Sequence, residues 1–176
     1  LVSFPVLTEP IAKIEMNPCW ATMVAFDKPI TDQWVGAFLH GSFLSWASRN
    51  STKPGRNPDV EHLVLHADPQ WTAEHWEHEP NNVAELMLAE FFRVAAVLPR
   101  PHNHLQAHRW KYAIPIEPSH VGCISGDSAV VTSCGDWVSG SRVEGAFLSG
   151  MAAAGRMLGT LAPAKKNPHQ QTQLFN

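Results

Sequence analysis

The chain has 176 residues, 44% hydrophobic and 16% charged, with a formal net charge of −3 at pH 7. That is enough for one domain with a sizeable core, and it excludes a disordered polyampholyte. The mildly acidic balance offers no basic surface for nucleic acid or anionic membrane, and no apolar run approaches the roughly 20 residues of a membrane span. Seven Trp and eight Phe against one Tyr point to a packed interior or a pocket for a flat ligand. Ten His are the compositional oddity. Cys19, Cys123 and Cys134 are an odd count without C-x-x-C spacing, which fits a reducing, cytoplasmic compartment better than a disulfide framework. Leu1 opens the chain with neither Met nor a basic signal segment, so the sequence is expected to be a piece of something longer.

In chain order, residues 17–26 (NPCWATMVAF) are apolar and β-prone and predict a buried strand after a turn at Asn17 and Pro18. Residues 34–40 and 43–49 are short apolar runs separated by Gly41 and Ser42, a hairpin pattern. Residues 50–59 (NSTKPGRNPD) form a turn-rich loop. In residues 61–67 (EHLVLHA), His62, Val64 and His66 alternate with Leu63 and Leu65, which predicts a strand with one wet face. Residues 82–98 read as an amphipathic helix. Asn82 and Glu85 sit at capping-box spacing, Val83, Leu86, Met87, Phe91, Val94 and Leu98 trace the apolar stripe, and Glu90 interrupts it. Pro99 and Pro101 stop the helix. Residues 104–113 return as a strand, and residues 129–134 (AVVTSC) form a short buried one. A helix follows over 142–161, opened by a second capping-box pattern in Ser141 and Glu144. The tail from Pro163 is polar and frayed. The order implies an α+β fold with a mixed, largely antiparallel sheet and a C-terminal strand–helix unit.

The chemistry concentrates in residues 129–158. Gly135 permits close backbone approach. Asp136, at a strand end, can accept hydrogen bonds from hydroxyls. The start of the following helix presents unpaired N–H groups and positive dipole potential, which stabilise nearby negative charge. Gly145, Ala146, Ser149, Gly150, Ala152 and Ala153 give that helix a small face. Periodicity alone favours an ordinary capped strand–helix pair.

The segment GDWVSGSRVEGAFLSGMAAA (135–154) resembles the C-terminal FAD-binding motif of flavin amine oxidases. The resemblance implies that Asp136, after Gly135, contacts the ribityl–phosphate part of FAD. Backbone groups at Arg142, Val143 and Glu144 would face the flavin edge, with Gly145 and Ala146 allowing close packing. Upstream, MNPCWA (16–21), SWASRNSTKPGR (45–56), LVLHADPQWTAEH (63–75) and HRWKYAIP (108–115) together resemble bacterial renalase-like proteins. The likeness runs from near Leu1 to about Leu161. It implies a substrate-binding domain over 1–118, an FAD-contacting strand and helix over 119–162, and a tail over 163–176. It also implies an N-terminal half carrying a strand, G-x-G-x-x-G and helix, which this sequence lacks, since Gly122, Gly126 and Gly135 do not space that way. That half and a small-molecule substrate are the expected partners.

The same resemblance puts Trp46, Arg49, Asn50, Trp110 and Tyr112 in the substrate region, where a sheet covers the flavin. Aromatics suit a flat nicotinamide-like or aryl ligand, and Arg49 or Lys53 could meet a phosphate or carboxylate. Read without it, the Trp residues are core and Arg49 a solvated strand end. His102, His104 and His108, with His75 and His78, invite a metal reading, but no carboxylate–His pattern of a metalloenzyme appears, so no metal is expected. Cys19 and Cys134 lie in apolar runs and read as buried and inert. The expectation is therefore an FAD-dependent oxidoreductase in the intact protein. It would oxidise isomeric dihydronicotinamide dinucleotides to NAD(P)+ with O2, giving H2O2. No side-chain acid or base is nominated. An amine oxidase or a non-catalytic binding module are the alternatives.

Overall fold

The computed structural model describes residues 4–31, 33–117, 119–126 and 131–161. In chain order its elements are α1 (Pro5–Ala12), β1 (Met16–Phe26), β2 (Gly36–Phe38), β3 (Leu44–Arg49), a 3-10 turn (Asn50–Thr52), β4 (Glu61–Ala67), α2 (Pro69–Glu74), α3 (Pro80–Val94), β5 (His104–Pro115), β6 (Ile124–Ser125), β7 (Thr132–Ser133), a second 3-10 turn (Asp136–Val138) and α4 (Val143–Leu161). The chain divides into two compact units. One is residues 16–114; the other joins residues 1–15 to residues 115–176. The first 15 residues group with the C-terminal part.

The larger unit is a sheet in the order β2-β3-β4-β1-β5. The pairs β2/β3, β3/β4 and β4/β1 are antiparallel, so the α+β class with a mostly antiparallel sheet holds. Side-chain alternation gives the sheet two different faces. On one face Trp20, Val24 and Phe26 of β1, Ala47 of β3 and Leu63 and Leu65 of β4 pack with Val83, Met87, Leu88, Phe91 and Phe92 of α3. Removing side chains of this size from water contributes about 1.5–3 kcal/mol each. Helix α3 presents that face because its buried residues recur at three- and four-residue spacing.

Polar ties fix the helices on the sheet. The Trp20 amide donates to Thr72 Oγ1 (3.1 Å) and its indole Nε1 to the His75 carbonyl (3.1 Å), which anchors α2. Asp68 caps α2, accepting the Trp71 N–H at 2.8 Å. Glu90, the misfit in the apolar stripe, accepts from Ser42 Oγ (2.6 Å) and from Arg93 (2.6 and 2.7 Å), so it bridges α3 to the β2–β3 connection.

Helix α3 starts at Pro80, two residues before the expected cap, and Glu79 makes no side-chain cap bond. Proline at the first position already supplies the helical φ and removes one N–H that would otherwise lack a partner, and with the start at Pro80 the Asn82–Glu85 pair lies inside the helix rather than at its cap. The helix ends at Val94, and Ala96 takes a positive φ of 52°, so the chain leaves the helical path before Pro99.

In the smaller unit β6 pairs antiparallel with β7, Ile124 opposite Ser133 and Ser125 opposite Thr132. The expected strand over 129–134 is seen as Thr132–Ser133; Ala129, Val130 and the tail from Pro163 lie outside the described residues. Helix α4 runs from Val143 to Leu161. Among the described residues no helix is long and apolar enough to cross a membrane.

Candidate functional site

In the larger unit, the sheet face turned away from α3 carries a second aromatic set, from β2, β3 and β5. Register places Trp46 of β3 opposite His66 of β4, and His66 opposite Ala21 of β1. Phe38 of β2 lies opposite Trp46, their rings 4.7 Å apart. Gly36 makes room for that indole, since a Cβ there would come within 2.7 Å of the Trp46 ring. On the outer strand β5, Trp110 and Tyr112 are 54% and 69% exposed, and His108 meets the Trp110 ring edge-on at 4.4 Å.

Cys19, His66, Trp110, Tyr112, Ala113 and Ile114 line a cavity of about 260 Å³.

The lining of this 260 Å³ cavity is aromatic and uncharged. Burial lowers the His66 pKa below the ordinary imidazole value, so the ring is neutral at pH 7. Burial also pushes the Cys19 thiol up to about 11, so it stays un-ionised. Its Sγ lies 3.3 Å from the Trp20 carbonyl and 3.6 Å from that of Ala67.

Of the five residues expected in the substrate region, Trp46, Trp110 and Tyr112 therefore share the open face. Arg49 does not. It lies on the α3 side, 8% exposed, with its Nε 2.9 Å from Oε2 of the fully buried Glu61. Its Nη1 donates to the Trp34 carbonyl at 3.2 Å. Glu61 also accepts from Ser51 Oγ (2.6 Å) and the Ile30 amide (3.1 Å). Arg49 is thus neither a solvated strand end nor free to meet a ligand anion. Asn50 starts the adjoining 3-10 turn, where its carbonyl accepts the Lys53 N–H at 3.4 Å, and Lys53 is exposed.

In the smaller unit Ser149 organises the 135–149 segment. Its buried hydroxyl accepts the Gly135 N–H at 2.9 Å and donates to the Gly122 carbonyl. Gly145 is buried against the preceding loop, where a Cβ would collide with the Gly140 carbonyl oxygen and lie 3.0 Å from its carbon. The Asp136 carbonyl accepts the Gly140 N–H at 2.8 Å, closing the turn before the helix. The first bond of α4 runs from the Ala146 N–H to the Arg142 carbonyl, so the N–H groups of Val143, Glu144 and Gly145 have no acceptor within the helix. A cavity of about 460 Å³ lies at this helix start, lined in part by His120, Ser139, Ser141, Arg142 and Glu144. The side chains of Arg142 and Glu144 are exposed, whereas Asp136 is half-buried.

The histidines do not converge. His75 stacks on Trp71 at 4.0 Å and meets His78 edge-on at 4.7 Å, while His108 packs on Trp110. Among the described residues no group of three or more His, Cys, Asp or Glu could hold a metal ion. Cys134, expected to be buried, is exposed, and Cys19 is buried as expected. Sequence reasoning missed His66 as a site residue, although its place on the wet face of β4 could be read from the alternation.

An α+β unit with one helix-covered face and one open aromatic face is the class this geometry defines. No family model matches the sequence. Among solved structures, the fold is similar to part of a putative protoporphyrinogen oxidase from Exiguobacterium sp. 255-15. The TM-score is 0.50 at 10% sequence identity, over 64% of this chain. The chain spans about a quarter of that protein's length, the match covering 26% of it.

Proposed function

We propose that this chain supplies the substrate-facing sheet and a flavin-contacting strand–helix unit of an FAD-dependent oxidoreductase in the renalase and flavin amine oxidase group. The observation that carries the reading is the open sheet face, where Trp46, Trp110 and Tyr112 present aromatic surface suited to a flat ligand. The fold likeness to a protein named as an oxidase supports the same class. The proposed substrates are isomeric dihydronicotinamide dinucleotides, oxidised to NAD(P)+ with O2 as acceptor and H2O2 as by-product. The free cysteines fit a cytoplasmic setting.

The residues at the start of α4 fit FAD. Three N–H groups without helical acceptors and the adjoining cavity suit a polar, electron-rich edge, and the half-buried Asp136 carboxylate can accept from hydroxyls. FAD, when bound, supplies the hydride acceptor. The chain's own contribution is orientation. Helix α4 offers donors at its start, Gly145 lets the 140 loop approach closely, and Ser149 holds that loop through Gly135 and Gly122. The open face binds and orients the ring to be oxidised and displaces water from it. Holding the ADP half of FAD needs a G-x-G-x-x-G unit, so the proposed partner is a half that carries one.

Joining the sequence to such a half and recording the visible spectrum tests the reading. A retained flavin, bleached anaerobically by an isomeric dihydronicotinamide dinucleotide and reoxidised by air with release of H2O2, is the expected result. Bleaching by amines alone would instead select the amine oxidase reading. A colourless product would remove the oxidoreductase reading.

A further inference from the structure

Three places in the fold hold unused chemistry. The polar cavity by His102 and His104, about 480 Å³, has Glu85 but no converging ligand set. The cavity by Cys123 and Arg156, about 340 Å³, offers a single cysteine. The open face of the larger unit offers more, because a titratable side chain there lines a cavity and its ring has no hydrogen-bond partner among the described residues.

That side chain is His66. Its backbone carbonyl accepts from Ser45 Oγ at 3.3 Å, but its ring makes no hydrogen bond among the described residues. The ring is half-buried and lines the 260 Å³ cavity beside Trp110 and Tyr112. A half-buried imidazole left unpaired loses hydration without compensation, unless a ligand supplies the missing bond. We propose that this cavity takes a planar aromatic ring bearing an uncharged hydrogen-bonding substituent, and that His66 is the specificity-determining residue that bonds the substituent. The inference rests on the reading of the open face as the substrate face, and it names the chemical class that face selects.

Size and charge both favour this class. A cavity of 260 Å³ holds one substituted ring. Its indole and phenol walls suit stacking or edge contact with that ring. None of the six lining residues is a carboxylate, ammonium or guanidinium. The neighbouring cations are otherwise engaged. Arg109 lies over the Trp20 and Trp76 rings at 5.5 and 4.7 Å, and Lys111 Nζ lies 5.3 Å from the Tyr112 ring centre. With imidazole and thiol both neutral, a charged substituent would lose hydration without gaining a counter-charge. A neutral imidazole can donate from one nitrogen and accept at the other, which suits an amide or phenol.

The test titrates the full chain with benzamide, toluene, benzoate and benzylamine, read by tryptophan fluorescence and by the His66 Cε1–H proton resonance. That resonance is assigned by its loss in His66→Phe. Benzamide is expected to bind best of the four and to move the His66 resonance. His66→Phe should weaken benzamide about three- to tenfold and leave toluene unchanged, while His66→Gln should recover part of the loss. Spectral dispersion checks that each variant is folded, and His66→Gln carries the comparison if His66→Phe is not. Equal binding of benzamide by wild type and the His66 variants, or benzoate or benzylamine binding as tightly as benzamide, would overturn the assignment. If toluene and benzamide still respond to Trp110→Ala in that case, the substrate face stands without His66. If no probe binds and Trp110→Ala changes nothing, both readings fall.

Discussion

Replacing Glu61 with alanine removes one buried carboxylate that serves three donors. Arg49 Nε, Ser51 Oγ and the Ile30 amide lie 2.9, 2.6 and 3.1 Å from its oxygens, and Glu61 itself has no exposed surface. The change leaves a guanidinium 8% exposed without its counter-charge, a cost of about 3–5 kcal/mol, and strands two neutral donors besides. Net stabilities of about 5–15 kcal/mol make that a large fraction of the total. The double variant Glu61→Leu with Arg49→Met removes both charges together. It should cost far less than Glu61→Ala, because apolar replacement of a buried pair is often close to neutral. Urea unfolding followed by circular dichroism and tryptophan fluorescence gives the comparison as midpoints at fixed slope. A Glu61→Ala loss below about 1 kcal/mol, or a double variant as damaged as the single one, would refute the reasoning.

Further outcomes follow from packing and titration. Gly145→Ala drives a methyl into the Gly140 carbonyl and should cost about 1–3 kcal/mol. Gly155→Ala on the same helix meets nothing within 4 Å and should gain up to about 1 kcal/mol. Thermal melts of the two variants should move in opposite directions. Iodoacetamide at pH 8 should modify exposed Cys134 first and spare Cys19, whose pKa is pushed up to about 11 by burial; peptide mass mapping that finds Cys19 labelled as fast as Cys134 would contradict this. The pKa values of His66 and Glu90 are both lowered in the fold, His66 by burial and Glu90 first by its bond to Arg93. Each therefore contributes stability that is full above its unfolded value and is lost as pH falls toward its folded one. Melting temperature should begin to drop below about pH 6.5 through His66 and fall further below the ordinary carboxylate range through Glu90. His66→Gln should flatten the first limb and Glu90→Gln the second.

The sheet was legible where alternation is strong. The wet and dry faces of residues 61–67 follow from side-chain period alone, and β4 spans those same residues. The apolar, β-prone run at 17–26 corresponds to β1. Helix α1 went unread because Pro5 and Pro10 break up the pattern over so short a segment, although proline at the first turn is itself a start signal. Helix α2 is six residues long and too short to show a period. Arg49 misled because residue type and family position say nothing about side-chain direction. Its burial depends on Glu61, twelve positions away, which only strand pairing brings alongside. His66 was visible as a wet-face residue, but its cavity also needs Trp110 and Tyr112 of β5, more than forty positions later in the sequence.

Strand β5 forms an edge of the sheet, and no described strand lies on its outer side. Twelve residues of extended backbone there leave a row of outward N–H and C=O groups able to template another strand. Exposed Trp110, Tyr112 and Ile114 along the same strand make it adhesive as well. The charges of Arg109 and Lys111 work against like-to-like pairing, since two copies side by side would bring cations together. Self-association of the protein should therefore rise with both concentration and salt, because salt screens that repulsion while leaving the backbone edge intact.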